Sequence, residues 1–212
     1  MKRKLNRIFQ RLYSAFGQQH WWPAESAFEV MVGAILTQNT SWANVEKALA
    51  ALKEKKLLGA GKLYKLAPRK LAFLIKSAGY YNIKAARLKN FLKFFFDNYA
   101  ASIKTIAAVD LAVLRKQLLE VNGIGQETAD SILLYALDKP IFVVDAYTKR
   151  ILFRHGLIKE GADYSSVQDI FMRNLKVDAK LFNEYHALLV KLGKDYCRKQ
   201  DPKCEACPLD GQ

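Results

Sequence analysis

The chain has 212 residues, 51% of them hydrophobic, which suits one sizeable core or two small lobes and excludes a disordered polymer. Thirty-four Lys and Arg stand against twenty acidic residues, and a formal charge of +14 favours a polyanionic partner, nucleic acid ahead of an anionic membrane surface. No apolar run approaches the ~20 residues needed to span a bilayer, and the charged start Met1-Lys2-Arg3-Lys4 is not a secretory leader, so a cytoplasmic protein is expected.

Taken in order, apolar residues recur at helical spacing, as in Phe28, Met31, Val32, Ile35 and Leu36 and again in Leu111, Leu114, Leu118 and Val121. Breaks are expected at Pro23, near Gly59 and Gly61, at Pro68 and Gly79, at Gly123 and Gly125, and at Pro140, Gly156 and Gly161. The pattern predicts an all-α fold of ordinary helices with short connections. Two segments resist a helical reading: Pro140 to Val144, short and β-branched, and the tail from Asp201, which has loop chemistry.

The stretch from Leu118 to Ala136 is the most informative. An apolar helix reaches Asn122-Gly123-Ile124-Gly125 and a second helix begins at once, so amides at the turn lack intrahelical partners and suit a phosphate. The glycines allow positive φ and close approach, Ile124 can anchor the turn, and a plain helix connection would use the same residues. After Phe142-Val143-Val144 comes Asp145, placed as the N-cap of the amphipathic stretch Ala146 to Leu152. Lys149, four residues on, can pair with that carboxylate or touch a phosphate.

These motifs resemble the endonuclease III superfamily of helix-hairpin-helix DNA glycosylases. The likeness runs through Leu36-Thr37-Gln38-Asn39-Thr40, Gly79-Tyr80-Tyr81-Asn82-Ile83-Lys84-Ala85, the hairpin with Thr128-Ala129, Val143-Val144-Asp145 and the cysteine tail. It implies two helical lobes with a central DNA-binding cleft: a six-helix barrel over residues 23–136, and a second lobe of residues 1–22 plus 137–212. It also implies a monomer acting on damaged double-stranded DNA, with the Gly123 to Gly125 amides on a flanking phosphate and Asp145 facing the sugar.

The family's hairpin carries a lysine eighteen positions before the aspartate, an amine that attacks the sugar and leads to strand cleavage; Glu127 stands there in this chain. A carboxylate forms no Schiff base, which leaves hydrolysis: Asp145 stabilises the oxocarbenium-like sugar, orients water and takes its proton. Glu127 is either a second catalytic acid or a first-turn carboxylate that complements the helix dipole.

Among relatives of endonuclease III, a hairpin glutamate together with Trp21-Trp22-Pro23 and Leu36 to Trp42 resembles the 3-methyladenine DNA glycosylases. That resemblance puts Trp22, Pro23 and Trp42 in the base pocket, with Trp21 beside them. Methylation places positive charge on the purine, which weakens its glycosidic bond and favours an aromatic face. Core packing is the other use of these rings. Gln38 and Asn39 fall at the end of the second helix, where the family's glutamine enters the gap left by the flipped nucleotide and where a helix cap would also sit.

Cys197, Cys204 and Cys207 are separated by six and two residues. The resemblance assigns them to a [4Fe-4S] cluster whose fourth cysteine would follow Gln212, and three thiolates leave that set incomplete. A zinc site with an outside ligand, or thiols left after cluster loss, remain alternatives. The expected activity is monofunctional removal of alkylated purines. A glycosylase and lyase for oxidised or mismatched pyrimidines, and a DNA-binding module that cuts no bond, are the rivals.

Overall fold

The computed structural model describes residues 1–211; helices are the regular elements among them, joined by turns and loops, with no strand. The chain divides into two compact units, Ala24–Leu137 and the combination of Met1–Pro23 with Asp138–Gln212. Helix α1 (Lys2–Phe16), which opens the second of these, buries Leu5, Ile8 and Leu12 and leaves its basic residues exposed.

The unit from Ala24 to Leu137 is built round α2 (Ala27–Leu36), whose residues from Glu29 to Leu36 are all buried. Such a helix is apolar on every side because it is covered on every side. Its start is fixed by Ser26, whose side chain accepts from Glu29 N at 3.2 Å, and by Lys53, which pairs with Glu29 at 2.7 Å and Glu25 at 2.9 Å. Helices α3 (Trp42–Glu54), α4 (Ala60–Lys65) and α5 (Pro68–Leu74) follow. Gly59 is the break expected before α4, whereas Gly61 lies inside that short helix. Helix α6 (Tyr81–Tyr99) packs on α5 and α2 with Leu88, Phe91, Leu92 and Phe95. Lys84, on the same buried face, is 1% exposed and donates to the carbonyls of Leu36 at 2.8 Å and Ala78 at 2.6 Å. After α7 (Ile103–Ala107), helices α8 (Leu111–Glu120) and α9 (Gln126–Ser131) form the two arms of the hairpin. Arg115 of α8 clamps the fully buried Asp130 of α9 with two bonds of 2.7 and 3.1 Å. A wide π turn, Ile132–Ala136, continues α9.

In the other unit, α10 (Ala146–Arg154) and α11 (Tyr164–Asn174) precede α12 (Ala179–Asp195), which packs on α10 and α1. The Tyr185 hydroxyl donates to Leu5 O at 2.9 Å, and burial raises its pKa far above the usual phenol value. Ile141 to Val144 is buried and non-helical, as its short β-branched run led one to expect, yet it joins no sheet. Its polar groups are met by α11: Gln168 donates to Phe142 O at 2.6 Å, and Val144 N–H donates to the Tyr164 hydroxyl oxygen at 3.3 Å. Gly193 faces Tyr147 so closely that a Cβ there would lie 2.4 Å from the ring, so bare backbone lets α12 approach α10.

Candidate functional site

Asp145 is the N-cap of α10, and its Oδ1 accepts from Thr148 N at 2.7 Å. Its side chain is 13% exposed, and its Oδ2 lies 3.6 Å from Nε2 of His186 on α12. Burial is the largest single influence on this carboxyl and acts to raise its pKa. The neighbouring His186 and the Thr148 N–H together outweigh it, and the carboxyl is held below its ordinary value. The cap therefore also presents a buried anion. Lys149, expected either to pair with Asp145 or to reach a phosphate, donates to Ala162 O at 2.9 Å, and the side chain beside the aspartate's Oδ2 is His186.

In the hairpin, Gly123 has φ 93°, which strains any residue with a side chain, and the Arg87 stem covers its open face. A Cβ there would lie 2.3 Å from Arg87 Cγ. Gly125 is different: its φ is −92° and a Cβ would meet nothing within 4 Å. Ile124 is 5% exposed, and its N–H is spent on Val121 O at 3.0 Å. Of the three amides expected to face a phosphate, that one is turned inward. Glu127 lies in the first turn of α9, exposed, where its charge complements the helix dipole.

Gln38 falls in the turn after α2, whose C-cap is Thr37, and its side chain reaches the hairpin. Nε2 donates to Gly123 O at 3.1 Å and to Thr128 Oγ1 at 2.9 Å, while Oε1 accepts from Arg87. Gln38, Gly123 and Thr128, singled out from separate parts of the sequence, are thus brought together. Asn39 stands beside them at φ 54°, exposed.

Trp21 and Trp22 have ring centroids 5.5 Å apart and are half-buried, with Lys194 Nζ 5.7 Å from the Trp21 centroid. Pro23 is exposed, and Trp42 is the first residue of α3, half-buried. His186, Arg87, Arg115 and Asp130 were not among the expected site residues. A histidine in register with the apolar positions of α12 was a usable signal; nothing in the sequence marks Arg87 as the partner of Gln38.

The three thiols are unlike. Cys197 is buried, Cys204 exposed and Cys207 in between. Burial pushes the Cys207 thiol up, the Leu209 N–H opposes this, and Cys197 and Cys204 add to the rise. Arg154 donates to Cys197 Sγ at 3.4 Å and to the carbonyls of Arg198 and Lys199, and Arg150 donates to Cys197 O at 2.7 Å. A [4Fe-4S] cluster takes four thiolates. No group of three or more candidate ligands is gathered as a metal site among the described residues, so they do not by themselves fit it.

No helix among the described residues is long and apolar enough to cross a membrane. A family model described as the HhH-GPD superfamily of base excision DNA repair proteins matches residues 32–176. A putative DNA repair glycosylase of Methanocaldococcus jannaschii is 50% identical over 204 residues, 96% of this chain and 92% of that protein. The 3-methyladenine DNA glycosylase of H. pylori, solved with 1,N6-ethenoadenine, superposes with a TM-score of 0.77 at 30% identity, covering 90% of this chain and 97% of that one. A trapped endonuclease III–DNA covalent intermediate superposes with a TM-score of 0.84 at 21% identity, covering 99% and 93%, and shares the fold. Fold and relatives together define a DNA-binding enzyme of the glycosylase class. The chain belongs to the HhH-GPD superfamily of base excision DNA repair proteins.

Proposed function

We propose that the protein is a monofunctional glycosylase that hydrolyses the N-glycosidic bond of alkylated purines such as 3-methyladenine and leaves the strand intact. The observation that carries this reading is Glu127, a carboxylate in the first turn of α9 at the position where the resemblance expects an amine. A carboxylate cannot form the imine through which a lyase cuts the strand. The substrate class is supported by the Trp21-Trp22-Pro23 and Trp42 set and by the 30% identity to a 3-methyladenine glycosylase.

The chemistry is a hydrolysis. The bond between C1′ and the base nitrogen breaks, and its electron pair neutralises the positive charge that methylation put on the ring. The sugar becomes oxocarbenium-like, and the buried Asp145 anion stabilises it. Water adds to C1′ and gives its proton to the Asp145 carboxylate, which returns it to solvent. The extruded base stacks on aromatic rings, for which Trp22 with Trp21 and Pro23, and separately Trp42, are the candidates, and a cationic purine offers better stacking than an ordinary one. Gly123, Gly125, Gln38, Asn39 and Thr128 serve DNA binding. The cysteine loop takes no part in bond cleavage.

The test is incubation with a panel of lesion-bearing duplexes, reading released bases by mass spectrometry and strands on a denaturing gel. Free 3-methyladenine with uncut strands until alkali is added is the expected result. Nicking without alkali, or a protein–DNA adduct trapped by borohydride, rejects the monofunctional reading in favour of a glycosylase and lyase.

A further inference from the structure

His186 lies on α12 among Phe182, Tyr185, Leu188 and Leu189, all fully buried, and its own side chain is 6% exposed. A polar ring on such a face is costly unless its nitrogens find partners. Beside it stands Asp145, whose two oxygens are divided: Oδ1 takes the Thr148 N–H of the helix cap, and Oδ2 stands 3.6 Å from His186 Nε2. Gly193 lies two turns further along α12, and its missing Cβ lets the helix close on Tyr147, two residues past Asp145.

We infer that His186 is a positioning residue for base release, holding the Asp145 carboxylate as an anion with Oδ2 fixed beside the imidazole. The inference rests on the reading of Asp145 as the carboxylate that serves the reaction. Other charged and titratable groups near this carboxylate are directed elsewhere: Lys149 to Ala162 O, Arg150 to the carbonyls of Gly193 and Cys197, and Glu184 to Gln19 N–H. Tyr164 accepts from Val144 N–H. A helix cap alone needs one oxygen and no histidine. With the imidazole replaced by an amide, burial is opposed by Thr148 without His186, and the carboxyl holds its proton to higher pH.

The experiment is single-turnover release of 3-methyladenine from a duplex, followed from pH 4.5 to 9 for the parent, His186→Asn, His186→Gln and Asp145→Asn, with DNA affinity and thermal melting alongside. Expected for both His186 variants are unchanged affinity, a chemical step slower by roughly tenfold or more, and an acid limb moved up by about one pH unit. A His186 variant that melts cooperatively and matches the parent in rate and limb overturns the inference and leaves the reading of Asp145 standing. Base release that survives Asp145→Asn overturns that reading itself. Should neither His186 variant fold, the parent decides: a rate flat down to the ordinary carboxylate range supports the inference. An acid limb displaced above that range means burial has won and His186 does not hold the anion.

Discussion

Gln38 donates through its side-chain amide to the carbonyl of Gly123, 3.1 Å away, and so ties the turn after the central helix to the glycine hairpin. The same nitrogen reaches Thr128 Oγ1, and the amide oxygen accepts from Arg87. The amide's donors and acceptor are therefore engaged with groups of its own unit. A glutamine held in this way stiffens the hairpin.

Gly123→Ala and Gly125→Ala should separate folding from binding. At position 123 a methyl group meets Arg87 at 2.3 Å and the backbone sits at φ 93°, so a loss of about 1–3 kcal/mol is expected, read as a lower midpoint in urea. Adding Arg87→Ala relieves the clash and leaves the backbone strain, so part of the loss returns. At position 125 the methyl enters open space at an ordinary φ, so stability is expected to hold while affinity for duplex DNA falls. Equal stability losses at the two glycines would refute this division.

Arg115→Leu leaves Asp130, fully buried, without the guanidinium that now holds both its oxygens. Breaking a buried pair by removing one partner costs about 3–5 kcal/mol, more than the ~1 kcal/mol of a surface pair. Arg173→Leu, which removes an exposed pair with Asp169, serves as the comparison. Denaturant melts should show a large loss for the first and almost none for the second; similar losses would mean that Asp130 relaxes toward water.

Most of the architecture could be read from apolar spacing and glycine or proline breaks, because both act through neighbours three or four residues apart. Asp145 could be read as a cap for the same reason. What could not be read were contacts over long sequence separation: His186 on Asp145, Arg115 on Asp130, Arg87 on Gln38. Nothing in a one-dimensional pattern says which buried face of α12 meets which end of α10. Lys149 shows the limit well, since its spacing from Asp145 was ideal for a helical ion pair, and the carbonyl of Ala162 took the ammonium instead.

Asp145→Asn keeps an N-cap, since asparagine caps about as well as aspartate, so the melting midpoint should move by only a few degrees. Base release should fall by about a hundredfold or more, the usual worth of a positioned base, with DNA affinity retained. Loss of affinity in parallel with activity would place Asp145 in binding rather than in chemistry.

Lys84 makes a pH dependence with an unusual sign. Burial, reinforced by the nearby Arg87 charge, lowers its ammonium pKa from 10.5 to about 8, although two carbonyls accept from it. The unfolded chain keeps the ordinary value, so between about pH 8 and 10.5 it binds a proton that the folded chain has released. Over that window this group makes folding more favourable as pH rises. Below about pH 8 the full cost of the buried charge is present, on the order of 3 kcal/mol at about 1.4 kcal/mol per tenfold change. Lys84→Met removes the titration and leaves the carbonyls of Leu36 and Ala78 without that donor. Between pH 7 and 10, the parent's stability relative to Lys84→Met should therefore shift in the parent's favour by about 2 kcal/mol, read from denaturant midpoints at each pH. A difference that stays constant over this range would mean that the carbonyl bonds offset desolvation and that the ammonium keeps its proton in the folded protein.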